Sequence, residues 1–207
     1  MDGISLYEFA LSMAALVICI TIHEFAHAYA AYRAGDDTPR LQGRISLNPI
    51  DHLDPFGTIM MVVSSISGFG IGWGKPVRIN PANFRNPRWD NLRVSLWGPL
   101  SNLLTAVVVG TVHKYTAPFL PGNVAYFLWL LAAISVGLAL FNLLPIAPLD
   151  GSHILSAVLP AGQARAYNRF MMRYGFLIFL ALIFFAPGIL PRIIGPAARL
   201  LIRLLMG

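Results

Sequence analysis

Long apolar runs alternate with short segments rich in arginine, proline and glycine along the whole chain. The first run, Leu6 to Tyr32, is long enough to cross a bilayer as a helix, and Arg33 ends it. Val94 to His113 and Val124 to Leu144 predict two further spans, with Pro121-Gly122-Asn123 turning the chain between them. Tyr174 to Leu190 predicts a fourth at the short limit of span length. Phe56 to Ser67 is too short to span; it is expected to re-enter or lie on the membrane, and it runs into Gly68-Phe69-Gly70-Ile71-Gly72-Trp73-Gly74. The tail from Pro191 carries Arg192, Arg199 and Arg203 among leucines, which suits either a short further span or an amphipathic interfacial helix. Alternation with a period of two occurs at Arg44 to Asn48 and at Lys75 to Asn80, predicting two short strands. The expected fold is an all-α polytopic membrane protein, a helical bundle of about four to six membrane segments with a small membrane-associated β element.

Composition agrees: 57% of the 207 residues are hydrophobic and only 12% charged, about half the charged fraction of a soluble domain. The single cysteine excludes an internal disulfide framework. A net charge of +6 raises the question of nucleic acid, but the basic residues collect between apolar runs rather than along one soluble face, so the expected partner is the lipid bilayer. Nothing basic precedes Arg33, whereas Arg33, Arg40 and Arg44, then Arg85 and Arg88, then Arg165, Arg169 and Arg173 form three clusters. By the positive-inside rule these face the cytoplasm and the N-terminus faces out. Asp2 and Glu8 replace the basic start of a cleavable signal peptide, so the first run is expected to be retained.

Inside that first run lies His23-Glu24-Phe25-Ala26-His27. Residues four apart share a helix face, so both imidazoles can bind one metal ion while Glu24 reaches water beside it, the metalloprotease arrangement. An ionisable group in mid-membrane costs about 2.5–3.5 kcal/mol and is usually tied to function. No lysine or arginine lies between Met1 and Tyr32 to neutralise Glu24. Counting back from Arg33 puts His27 about 9 Å and His23 about 15 Å away, within the membrane and nearer the cytoplasmic face. Cys19 shares the histidine face, and His52 and Asp54 fall in the polar loop that follows; these are weaker ligand candidates beside packing and loop roles. A stronger one is Asp150, at a helix end broken by Pro145 and Pro148, with no lysine or arginine within ten residues on either side. It suits a third ligand and also a helix N-cap, and His153, one turn on, is its rival. Asn102, four residues into Gly98-Pro99-Leu100-Ser101-Asn102, suits either a helix-to-helix hydrogen bond or substrate contact.

Taken in order, HEFAH in the first span, GPLSN opening the second and NLLPIAPLDG closing the third resemble the site-2 protease family of intramembrane zinc metalloproteases. SLNPIDHLDPFG and GWGKPVRINPANFRNP are similar to the minimal bacterial members, and the likeness runs from about Ile22 to Gly151. The resemblance implies one Zn2+ ion held by His23, His27 and Asp150, Glu24 as catalytic acid/base, and Asn102 and Asn142 positioning substrate or transition state. It further implies cleavage of a transmembrane segment in a membrane-tethered regulator such as an anti-sigma factor, after an earlier cut by another protease, in a bacterial cell membrane. The expected organisation is one domain over residues 1–207, with a catalytic core over about 6–159 and C-terminal membrane segments over 174–206, leaving no room for the PDZ or CBS domain of larger members. A metal or proton transporter is the rival class, since intramembrane His, Glu and Asp also mark ion paths; the paired half-chain repeats expected of one are not visible. A purely structural zinc subunit would fill the fourth coordination position with protein.

Overall fold

A computed structural model describes residues 5–67, 72–186 and 188–207. Helix α1 (Leu6–Arg33) begins with a reciprocal cap: the Ser5 hydroxyl accepts the Glu8 N–H at 3.1 Å, and the Glu8 carboxylate accepts the Ser5 N–H at 3.0 Å. A short α2 (Thr38–Leu41) and α3 (Pro55–Ser67) follow. With 13 residues α3 is about 20 Å long, short of the roughly 30 Å of hydrocarbon. Four residues of the glycine-rich run beyond it, 68–71, lie outside the described residues. Helix α4 (Pro87–Thr116) carries Pro99 inside it, and α5 (Gly122–Asn142) returns alongside. The chain then breaks before α6 (Asp150–Val158). Next, α7 (Ala161–Phe170) continues through a π turn at Met171–Gly175 into α8 (Phe176–Phe185), and α9 (Ile189–Met206) ends the chain.

Among the described residues, four helical stretches are long and apolar enough to cross a membrane: Leu6–Arg33, Pro87–Phe119, Gly122–Asn142 and Ala161–Phe185. The protein is therefore a multi-pass membrane protein. The last of these stretches starts earlier than Tyr174, so Arg165, Arg169 and Arg173 sit in its first half rather than in a loop before it.

Two stripes with a spacing of four residues hold the bundle together. On α1 the buried set includes Ala15, Cys19, His23, His27 and Ala31; on α4 it includes Asp90, Val94, Gly98, Asn102, Ala106 and Gly110. Residues at i and i+4 lie above one another, so each stripe is a ridge of mostly small side chains. Between apolar helices in lipid, close approach of this kind supplies the packing that the hydrophobic effect cannot. Helix α4 is central, touching α1, α5, α6 and α9. One apolar cluster gathers Ala15, Cys19 and Leu131 with Ile18, Val109 and Phe127 around them; another gathers Ala31, Phe84 and Val94.

The expected β element is not formed. Among the described residues there is no strand, and the single bridge joins Leu53 to Gly74. Lys75 to Asn80 runs without regular structure because its backbone groups are claimed by partners other than a strand. The Lys75 N–H goes to the His52 carbonyl at 2.8 Å, the Val77 N–H to Glu24 Oε2 at 3.2 Å and the Asn80 N–H to Asp36 Oδ2 at 2.7 Å. Pro76 has no N–H, and its carbonyl faces the buried Arg44 guanidinium at 3.4 Å. Arg44 to Asn48 bends instead of pairing: Arg44 also donates to the Asp51 carbonyl, and the Ser46 carbonyl sits 2.7 Å from His52 Nε2.

Asp36 is the anchor of this layer. It is fully buried and accepts from Thr38 (N–H 3.1 Å, hydroxyl 2.6 Å), from Asn83 Nδ2 at 2.8 Å and from Asn80. Burial disfavours its ionised form, but the hydrogen bonds from Thr38, Asn80 and Asn83 outweigh that and hold the carboxyl below the usual carboxylate range. The loop after α1 and the segment before α4 are thereby fixed to each other.

Candidate active site

Helix α1 turns His23 and His27 to the same side, and the break before α6 delivers Asp150 opposite them. His23 Nε2 lies 3.0 Å from His27 Nε2 and 3.1 Å from Asp150 Oδ2, and His27 Nε2 lies 3.3 Å from Asp150 Oδ1. Ligand atoms held about 2.0–2.1 Å from a tetrahedral ion stand roughly 3.3 Å apart, so the three groups already have metal-ligand spacing. Two imidazole nitrogens this close repel through their lone pairs unless a proton or a cation lies between them, and Asp150 Oδ2 is buried without a hydrogen-bond partner. The donor set fits a metal ion, and it is the one His/Cys/Asp/Glu cluster of that kind among the described residues.

The opposite nitrogens of the two rings are held by α4. His27 Nδ1 lies 2.8 Å from the Val94 carbonyl, which can accept its proton and leave the Nε2 lone pair free for a metal. His23 Nδ1 lies 3.1 Å from the Asn102 amide, and Asn102 Oδ1 is buried without a partner. When His23 binds a metal through Nε2 its Nδ1 carries a proton, so the amide presents Oδ1 to that proton; the orphaned oxygen and the ring are then satisfied together.

Space for this arrangement comes from Gly98, one turn from each of Val94 and Asn102 on the α4 stripe. A Cβ there would stand 2.3 Å from His27 Nε2, 2.5 Å from His27 Cε1 and 2.7 Å from His23 Cε1. Gly74 does the same on the other side: a Cβ would lie 2.6 Å from Ile20 Cγ2. Glu24 points toward the segment after Gly74, where the Val77 N–H donates to its Oε2 at 3.2 Å.

These groups open on a cavity of about 810 Å³. His23, Glu24, His27, Asp150 and Asn142 line one part of it, and the apolar side chains of α8, among them Phe176, Phe179, Ile183 and Phe184, line another. The Asn142 amide donates to the Leu138 carbonyl at 3.0 Å. His153 lines the cavity and is exposed, outside the metal-capable cluster. Cys19 is fully buried one turn below His23, with its Sγ 3.1 Å from the Ser135 hydroxyl, in a packing role. His52 is occupied by Ser46, and Asp54 Oδ1 accepts the Gly57 N–H at the start of α3. Neither belongs to the cluster. Asp150 opens α6 but its side chain does not cap it.

Sequence reasoning passed over the closeness of Gly98 to the histidines, the Val94 carbonyl and the Val77 N–H. The first two were within reach: Val94, Gly98 and Asn102 repeat every four residues, so a partner for one histidine places the others on the same face. A backbone N–H reaching a side chain 53 positions away leaves no such trace.

A metal-capable triad with a glutamate beside it, set between membrane-crossing helices and facing a largely apolar cavity, defines a membrane-embedded metallohydrolase. The comparisons narrow that class. Residues 108–186 match the model of peptidase family M50. The chain is 43% identical over 176 residues to YwhC of Bacillus subtilis (strain 168), named as a zinc metalloprotease, covering 81% of this chain and 77% of that one. It is 30% identical over 177 residues to Rip2 of Mycolicibacterium smegmatis (strain ATCC 700084 / mc(2)155), which carries the same description, covering 84% and 67% respectively. Rip2 of Mycobacterium tuberculosis (strain ATCC 25618 / H37Rv) is 29% identical over 184 residues, 86% of this chain and 68% of that one. No solved structure matches the chain. The chain belongs to the M50 peptidases and is a zinc metalloendopeptidase.

Proposed function

We propose that this protein cleaves transmembrane segments of membrane-tethered substrate proteins, with His23, His27 and Asp150 holding one Zn2+ ion and Glu24 moving the protons. The observation that carries the reading is the convergence of ligand atoms from three residues at 3.0–3.3 Å beside a glutamate that lines the same cavity. A zinc ion held there supplies a Lewis acid that draws the pKa of water from about 15.7 toward 7. Glu24 accepts a proton as water attacks the peptide carbonyl, and returns it to the leaving amine. Its bond from the Val77 N–H fixes one carboxylate oxygen while the residue lines the cavity. Asn102 and the Val94 carbonyl keep both imidazoles oriented. Asn142, on the cavity wall, offers an amide to the substrate backbone.

The apolar wall from α8 suits a lipophilic guest. A helical guest hides its carbonyls in its own hydrogen bonds, so cleavage requires local unwinding, and small or helix-breaking residues near the cut favour it. From the arginine clusters we place the catalytic groups nearer the cytoplasmic side of a bacterial cell membrane, in a catalytic core that ends near residue 159.

The test uses the full chain in detergent with a transmembrane-segment substrate. Cleavage is expected to stop on adding a chelator and to return with zinc. Glu24→Gln is expected to keep zinc while cleavage falls by several orders of magnitude. A folded Glu24→Gln protein that cleaves normally would remove Glu24 from the chemistry.

A further inference from the structure

Helix α9 does something the catalytic reading does not need. At 100° per residue, Arg192, Arg199 and Arg203 fall within about 40° of arc. Next to that stripe, centred roughly a quarter-turn away, stand Ile189, Ile193, Leu200 and Leu204, all exposed. The half-buried Ile194, Leu201 and Leu205 form a third face, toward the bundle, where α9 packs on α4 and α5. The helix therefore has a protein face, an exposed apolar face and a cationic face.

It is not among the helical stretches long and apolar enough to cross a membrane. It starts just after α8, whose Ile183 and Phe184 line the cavity together with Leu16 of α1. It ends with Leu205 and Met206 against Gly110, at 3.1 and 3.4 Å from where a Cβ would be. Gly110 follows Val109, which packs on Ala15 and Cys19 of α1. The 18-residue helix is about 27 Å long and packs on α4 and α5. Gly110 is about one turn before His113 and Lys114, where α4 becomes polar. Arginine side chains reach such a distance by extending along an apolar surface.

Among the described residues the cationic face has no ion-pair partner. Between Gly151 and Gly207 the sequence contains no aspartate or glutamate. Among the described residues, the ion pairs involve Asp37 with Arg40, Asp90 with Arg93 and Asp150 with the site histidines, none of them on α9. A helix with exposed leucines beside an unpaired arginine stripe has the composition of an in-plane membrane helix.

We propose that α9 lies in the membrane plane, in the leaflet at the N-terminal end of α1, and that Arg192, Arg199 and Arg203 bind the phosphates of anionic phospholipid headgroups. The exposed apolar face enters the acyl region, and the protein face ties the lipid site to α4, the helix that supports both histidines.

Two measurements on the full chain test this. Nitroxide labels at Ile193→Cys, Leu200→Cys and Leu204→Cys, in nanodiscs with phosphatidylglycerol, are expected to report one common depth at the headgroup boundary, with unsubstituted protein as the blank for buried Cys19. A depth change of about 16 Å between positions 193 and 204 is what a spanning helix gives, and it would overturn the proposal. So would labels at 200 and 204 that lipid-dissolved oxygen cannot reach in native membranes, because a protein partner would then cover the face. Native mass spectrometry with phosphatidylglycerol against phosphatidylcholine supplies the second measurement. R192Q/R199Q/R203Q is expected to lose phosphatidylglycerol affinity by a factor on the order of 100, at about fivefold per basic residue near an anionic surface. R192K/R199K/R203K is expected to keep most of it. Equal affinity in the glutamine variant, or equal loss in the lysine variant, overturns the assignment.

Discussion

Replacing Gly98 by alanine adds one methyl group to a helix that otherwise favours the change by about 1 kcal/mol, yet it should disable the protein. The new Cβ would lie 2.3 Å from His27 Nε2, where ordinary contact begins at 3.4 Å, so ring or helix must move by about 1.1 Å. Metal sites tolerate ligand shifts of about 0.2 Å. His23 offers no relief, because its Cε1 is only 2.7 Å from the same point. Either α4 lifts from α1, at an overpacking cost of about 1–3 kcal/mol, or His27 leaves its place. A disturbance of groups that merely support metal ligands weakens affinity by about 10–100-fold, and a direct clash with a ligand atom should reach or exceed the upper value. The assay is zinc content and chelator competition on purified Gly98→Ala protein, with cleavage measured in parallel. Gly110→Ala on the same stripe is the control, because there the new methyl meets Leu205 Cβ at 3.1 Å, far from the histidines, and zinc should be retained. A Gly98→Ala protein with full zinc, unchanged chelator resistance and normal cleavage would falsify the close packing of α4 on the ligands.

Asp150→Ala should abolish cleavage and weaken zinc binding, whereas His153→Ala and Cys19→Ala should each retain substantial activity, since neither belongs to the cluster; zinc analysis of the three purified variants decides it. Asn102→Ala removes the amide beside His23 Nδ1 and should lower zinc affinity by about 10–100-fold, with excess zinc restoring part of the cleavage. Cysteines placed singly at Arg40, Arg85 and Arg169 should label from the same side of intact cells, and the opposite side from residues near the start of α1; labelling of Arg85 and Arg169 from opposite sides would refute the orientation.

Hydropathy and length were enough to mark the first three spans, and the spacing of the histidines was enough to put them on one face; the fourth stretch begins earlier than its apolar run suggests. Helix α1 needs only length and hydropathy, and the i, i+4 spacing of His23 and His27 fixes their common face before any folding. Asp150 was legible because an unpartnered carboxylate at a proline-broken helix end in an apolar stretch requires a cation. Its distance from His23, 127 positions along the chain, was not, since nothing local in either segment encodes their meeting; only the packing of α4 against both α1 and α6 brings them to 3.1 Å. The same limit explains the missing strands. Alternation in Lys75 to Asn80 suggested a strand, but whether backbone pairs with a strand or with side chains depends on what lies opposite, and here Glu24 and Asp36 take the hydrogen bonds. Tertiary structure likewise decided that Cys19, on the histidine face by its spacing, packs against Ser135 instead of the site, because α5 covers that turn of α1. Periodicity along one helix names a face, and the neighbouring helix determines what each residue on that face touches.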